Sequence, residues 1–105
     1  MTIDPVAVEN WAQALYSAAK KAQQLDTVLA EGATLREIYG RQKTMAAFLE
    51  GPQFRTQDKH QFLNRVFRDQ VNSLLLSTLH LLVDKNRINH LPEILERVAE
   101  RYDEE

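Results

Sequence analysis

Turn-forming residues are scarce in this chain, and that scarcity is its strongest constraint on fold. The only glycines in 105 residues are Gly32, Gly40 and Gly51, the only prolines are Pro5, Pro52 and Pro92, and no Asn-Gly or Asp-Gly pair occurs. A sheet protein of this size would need turn signals roughly every eight to twelve residues, so strands are not expected. Apolar residues instead recur at spacings of three and four along the whole chain, the period of an amphipathic helix. The expected fold class is all-α, a single six-helix bundle spanning residues 1–105.

Start and stop signals divide this pattern into helices. The first spans about Pro5 to Gln23, with Asp4 as N-cap and Pro5 at the first helical position, where a missing N–H costs nothing. The second covers about Leu25 to Tyr39. A short third, about Thr44 to Glu50, stops at Gly51-Pro52, a C′ glycine followed by a residue that cannot continue a helix. The fourth opens at Thr56 as N-cap and presents Phe62, Leu63, Val66 and Phe67. The fifth spans about Asn72 to Lys85 and closes on Asn86, a residue type that tolerates the left-handed conformation. The sixth runs from about His90 to Asp103, with Pro92 tolerated in its first turn, and the tail DEE is expected to fray. Mid-stripe positions give the expected core: Leu29, Ile38, Phe48, Phe62, Val66, Leu75, Leu79, Ile94 and Val98.

Composition excludes several classes of function. Thirteen Lys and Arg against fifteen Asp and Glu leave a formal charge of −2, not the concentrated positive charge of a nucleic-acid binder. With no cysteine, neither a disulfide framework nor a thiolate metal site can form. The opening MTIDPVAVENWAQAL lacks a basic stretch followed by an apolar run, so no secretory leader is expected. The most apolar segment, Leu74 to Val83, is about half the roughly 20 residues that span a bilayer, and direct membrane insertion is not expected.

That segment still carries a surplus. On a helical wheel at about 100° per residue, Ser73, Ser77, His80 and Asp84 form one narrow polar stripe, and the leucines fill an apolar arc of about 220°. A surface helix needs roughly 100° or a little more to cover one core. The fifth helix therefore lies at the centre of the bundle or keeps a second apolar flank for a partner. The first helix shows the same excess in Trp11, Ala14, Leu15 and Ala18, with alanines small enough to admit another helix closely. By residue type alone, packing inside the bundle is the more ordinary reading of both arcs, and a partner groove remains open.

Candidate chemistry is sparse. No pair among His60, His80 and His90 has the i, i+4 spacing of a helical metal site, and no HExxH or Gly-rich phosphate loop is present. His80 falls on the polar stripe and reads as a solvated residue, so replacing any of the three histidines by Gln is expected to leave folding and binding nearly unchanged. Glu93, Arg97 and Arg101 read as helix-supporting i, i+4 pairs rather than as a carboxylate dyad. No catalytic residue, no cofactor site and no metal site is assigned.

Three blocks together resemble one family. WAQALYSAAKKAQQLDTV is similar to the opening helix of the delta subunit of F-type ATP synthases, called the oligomycin-sensitivity-conferring protein in mitochondria, with Trp11, Ala12, Ala14, Leu15, Tyr16 and Ala19 at the matching positions. MAAFLEGPQFRTQDKHQFLNRVF resembles the family's apolar pair, turn and capped helix. LLLSTLHLLVDKNRINHLPEILERVAERY resembles its Leu-rich helix, turn and Leu-Pro-Glu helix. Asn86 stands where the family often has glycine, and Trp11 where tyrosine is common.

The resemblance implies an N-terminal helical domain whose companion C-terminal domain, which joins the b subunit of the peripheral stalk, lies outside this chain. It implies a non-catalytic stator role on the cytoplasmic face of the bacterial inner membrane. There the N-terminal helix of an alpha subunit would dock in a groove between the first and fifth helices, lined by Trp11, Ala14, Leu15 and Ala18 on one wall and Leu74, Thr78, Leu81 and Leu82 on the other. With the resemblance, the partner groove becomes the favoured reading of the two arcs. Two other classes remain open: an unrelated helical adaptor, which would bind through charged rims, and a small all-α enzyme of chorismate mutase type, which would need inward-facing Arg and Lys.

Overall fold

A computed structural model describes residues 3–105, so the first two residues of the expected domain lie outside the described part. Six α-helices and no strand are found among the described residues: α1 (Pro5–Lys21), α2 (Leu25–Arg41), α3 (Lys43–Glu50), α4 (Thr56–Phe67), α5 (Ser73–Asp84) and α6 (Leu91–Glu104), the last preceded by a single 3-10 turn, Ile88–His90. The all-α bundle expected from the spacing is the fold observed.

Local chemistry accounts for the helix ends. Asp4 Oδ1 accepts from the N–H groups of Val6 at 3.0 Å and Ala7 at 3.3 Å, capping α1 as its sequence suggests. The C-terminus of α1 falls at Lys21, two residues short of the expected Gln23. Gln23 adopts φ 57°, and the N–H groups of Gln23 and Gln24 reach back to the carbonyls of Lys20 and Ala19, closing the helix in a Schellman arrangement without glycine. The same closure ends α5, where Asn86 has φ 55° and the N–H groups of Asn86 and Arg87 reach Val83 and Leu82. Asn72 starts α5 from outside, its Oδ1 accepting from Leu74 N–H at 2.7 Å.

Three other ends differ from expectation. Thr56 is the first residue of α4 rather than its cap, and Arg55, at the cap position, makes no side-chain cap bond. Gly51 has φ −73° and ψ 123°, so the third helix ends in extended backbone and not in a left-handed glycine. Space, not dihedral freedom, restricts that position: a Cβ on Gly51 would lie 2.8 Å from Gln53 Oε1 and 2.9 Å from both Ala47 O and Phe54 Cδ2. The tail is not frayed either, since α6 continues to Glu104 and the Glu105 carboxylate accepts from Tyr16 Oη and from Lys20 Nζ.

Burial gathers on α1, α2, α5 and α6. α6 packs against both α1 and α2, and α5 lies between α4 and α1 in the chain of contacts. Leu75, Leu79, Ile94 and Val98 are buried as expected, joined by Ala12, Leu15, Ala19, Val28, Leu35, Leu63, Leu82 and Leu91. The other expected core residues sit farther out: Leu29, Ile38, Phe48 and Phe62 are half-buried, and Val66 keeps 39% of its surface exposed. Each lies mid-stripe on its helix, but on α3 and α4 no further helix closes over the stripe.

Candidate functional site

The surplus apolar arcs of α1 and α5 have separate inner and outer parts. On α1 the side that bonds to α6 carries Glu9, Tyr16 and Lys20. At about 100° per residue, Trp11, Ala14 and Ala18 fall on the opposite side of the buried residues Ala12, Leu15 and Ala19. On α5 the side that bonds to α4 carries His80 and Asp84. Leu74, Thr78 and Leu81 fall on the opposite side of the buried Leu75, Leu79 and Leu82. Because α1 and α5 are in contact, each helix offers a row of small or apolar side chains on its free flank.

Six of the eight residues expected to line this groove reach the surface. Ala14 is exposed, Leu81 keeps 49% of its surface in solvent, and Trp11, Ala18, Leu74 and Thr78 are half-buried. Two correct the expectation: Leu15 is 4% exposed and Leu82 0%, so both belong to the core beneath the surface and cannot touch a partner directly. Leu15 lies only about 40° from Trp11 on the wheel and Leu82 about 40° from Thr78, a difference that residue type does not reveal. Thr78 behaves as an apolar residue toward the outside, because its hydroxyl donates to the Leu74 carbonyl at 2.8 Å within the helix. The six members of the two rows are uncharged, and a lysine follows each row at its C-terminal end, Lys21 three residues after Ala18 and Lys85 four after Leu81.

A second apolar surface, not expected from the sequence, is formed by α2 to α4. α2, α3 and α4 frame an open groove of about 1220 Å³ whose apolar walls include Ile38, Met45, Phe48, Phe54, Phe62 and Val66. Phe48 meets Phe54 and Phe62 edge to face at centroid distances of 4.9 and 5.5 Å, and the Arg65 guanidinium stands 5.9 Å from the Phe62 centroid. The signal was present as the stripe of expected core residues, which turned out to be groove wall.

The histidines also depart from expectation. His80 is not simply solvated: its Nδ1 lies 2.6 Å from His60 Nδ1, and His60 Nε2 lies 2.7 Å from Asp84 Oδ1. His90 is 2% exposed and its Nε2 accepts from Asp4 N–H at 3.0 Å, tying the start of α1 to the turn before α6. Neither role fits an exposed residue that can be exchanged freely. Among the described residues no group of three or more His, Cys, Asp or Glu is placed to hold a metal ion, and no helix is long and apolar enough to cross a membrane.

Ionic contacts also join α1 to α6. Arg97 Nε donates to Glu9 Oε2 at 2.7 Å while its terminal nitrogens reach Glu104. That bond to Arg97 holds the Glu9 carboxyl below the usual carboxylate range, against a smaller opposing effect of burial. Burial, reinforced by its bond to Glu50, pushes the Tyr39 phenol above the ordinary tyrosine range.

The described residues form an all-α chain of six helices with apolar side chains on the outer flanks of α1 and α5. The particular family follows from comparison with known proteins. The family model described as ATP synthase delta (OSCP) subunit matches residues 8–105, and the chain belongs to that family. It is similar to proteins named ATP synthase subunit delta. One from Prochlorococcus marinus is 28% identical over 95 residues, covering 90% of this chain and 52% of the relative. One from Oceanobacillus iheyensis is 29% identical, over 90% of this chain and 51% of the relative. One from Bacillus cereus is 30% identical over 100 residues, covering 95% and 55%. The chain thus spans about half the length of the curated relatives it matches.

Proposed function

We propose that this chain is the N-terminal helical domain of a delta-type stator subunit. It docks the N-terminal helix of an alpha subunit along α1 and α5, and so helps tie the catalytic head of an F-type ATP synthase to its peripheral stalk. The observation that carries the reading is that Trp11, Ala14 and Ala18 of α1, and Leu74, Thr78 and Leu81 of α5, reach the surface of two helices that are in contact. An amphipathic helix laid into such a groove is held by apolar anchors every three or four residues. Alanines at 14 and 18 let its backbone approach, and Trp11 and Leu81 provide the larger contact surfaces. Each well-buried large apolar side chain contributes on the order of 1.5–3 kcal/mol before the costs of association, which suits firm but reversible docking.

The role is mechanical and non-catalytic. A further domain of the subunit would join the b subunit of the stalk, and the assembly would hold this domain peripherally at the cytoplasmic face of the bacterial inner membrane. Family membership supports the assignment to the complex, and the α1/α5 geometry supports the docking mode. The test is titration of the purified domain with a synthetic peptide of an ATP synthase alpha-subunit N-terminus. Saturable one-to-one binding that changes little between low and moderate salt is expected, because apolar contact is barely screened. Absence of binding, or binding that collapses with salt as at a charged adaptor surface, refutes the groove.

A further inference from the structure

Across the seam between α4 and α5, four side chains form one hydrogen-bonded chain: Asp84, His60, His80 and Asn64. The two imidazoles meet edge to edge, with centroids 4.8 Å apart, planes 24° apart and the Nδ1 atoms 2.6 Å from each other. The outer nitrogens are engaged as well, His60 Nε2 with Asp84 Oδ1 at 2.7 Å and His80 Nε2 with Asn64 Oδ1 at 3.0 Å. Asp84 and His80 lie on α5, His60 and Asn64 on α4, so the chain crosses the seam and returns.

Counting protons shows what this arrangement admits. A carboxylate only accepts, so His60 Nε2 carries a hydrogen toward Asp84. With both rings neutral, His80 Nδ1–H donates to His60 Nδ1, and Asn64 turns its amide so that its NH2 donates to His80 Nε2. With one ring protonated, a single hydrogen still lies between the two Nδ1 atoms, His80 Nε2–H donates to Asn64 Oδ1, and Asp84 balances the charge. With both rings protonated, two N–H groups and two positive charges would confront each other across 2.6 Å. Neither can be an acceptor, and the contact cannot survive.

We propose that His60 and His80 form a one-proton latch: the pair holds α4 against α5 with zero or one added proton and releases the seam when a second binds. The surroundings favour refusal of the second proton. Burial first, and then the charge of His60, hold His80 below the ordinary imidazole range, while Asp84 acts in the opposite direction. Those two groups, His60 from α4 and Asp84 from α5, are the charges that act on His80. Asn64, the fourth member, is uncharged and can turn its amide to suit either state.

The linkage has a definite sign. In the unfolded chain both imidazoles titrate near the ordinary value of about 6.5. Below it the unfolded state takes up a proton that the folded state refuses. Stability is complete above that pH and declines as pH falls toward the depressed folded value of His80. With one extra proton on the unfolded chain, the folding equilibrium constant drops about tenfold per pH unit. In His80→Gln, an amide opposes His60 Nδ1 and can donate or accept, so this component disappears.

Urea denaturation of the wild-type chain and of His80→Gln, each between pH 8 and pH 5, tests the latch. The wild type is expected to lose about tenfold more of its folding constant per pH unit below about 6.5 than the variant does. Equal pH slopes overturn the proposal. Should the variant not fold, histidine ring resonances of the wild type followed by NMR decide it. Two steps separated by about one pH unit or more are expected for the coupled pair. Coincident titration of both rings near the ordinary value overturns the latch.

Discussion

Replacing Leu81 by Asp separates a surface leucine held for a partner from a leucine held by the core. Leu81 already exposes 49% of its surface, so the free domain loses at most about half of the 1.5–3 kcal/mol that full burial of a leucine contributes, or about 1 kcal/mol. The new carboxylate remains hydrated and adds little further cost. Against a docked apolar helix the same carboxylate would be desolvated without a partner, a penalty of several kcal/mol. A loss of about 3 kcal/mol weakens binding on the order of a hundredfold. Ala14→Asp should act in the same way from the opposite wall. Leu79 provides the contrast: at 1% exposure, Leu79→Asp removes a buried side chain and leaves an unpaired charge in the core. A domain of this size has only about 5–15 kcal/mol of stability to lose, and it should unfold or nearly so. Urea denaturation and peptide titration on the three variants give the comparison. If Leu81→Asp and Ala14→Asp destabilise the free domain as severely as Leu79→Asp, the outer rows are core and the groove assignment is wrong.

Three further substitutions probe the scaffold. Gly51→Ala should cost about 1–3 kcal/mol by chemical denaturation, because its Cβ would press on the Ala47 carbonyl and the Phe54 ring, and a neutral outcome would show that this corner relaxes freely. His90→Leu removes the acceptor of the Asp4 N–H and should cost about 1–3 kcal/mol, with unchanged stability counting against a capping role. Glu9→Gln should be less stable than the wild type at neutral pH. Since Arg97 lowers the Glu9 carboxyl in the folded state, the difference should be present above the usual carboxylate range and fade as pH falls through that lowered value. A difference that persists in strong acid would mean the side chain acts by packing alone.

The helices could be read from the sequence because their signals are local. Asp4 and Pro5 mark the start of α1, Asn86 the end of α5, and the sparse glycines leave little room for strands. Gln23 carries no such mark: nothing about glutamine announces a positive φ, and the helix expected from the sequence runs two residues past the observed end of α1. Burial was harder to read because it depends on what another helix covers. Phe48, Phe62 and Val66 occupy the middle of apolar stripes, yet α3 and α4 are left open on that side. On α1 and α5 the reverse happened to Leu15 and Leu82, which turn inward while their wheel neighbours face solvent. The histidine chain was out of reach for a related reason. His60 and His80 are twenty residues apart, and only the register between α4 and α5 brings Nδ1 to Nδ1.

The bonds between α1 and α6 run in one order. Asp4 meets His90, Glu9 meets Arg97 and Arg101, and Tyr16 with Lys20 meets Glu105, so both helices advance in the same direction along their seam. Side by side and parallel, they carry load in shear. A pull that enters along α1 and leaves through the far end of α6 strains all of these contacts together, along with the buried Ile94, Leu95 and Val98 of α6. Peeling the helices apart from one end would break the contacts one after another at a much lower force. Resistance to forced opening is a rate, set by the barrier to separation and not by equilibrium stability. Two helices joined this way stay together longest when they are pulled along their length.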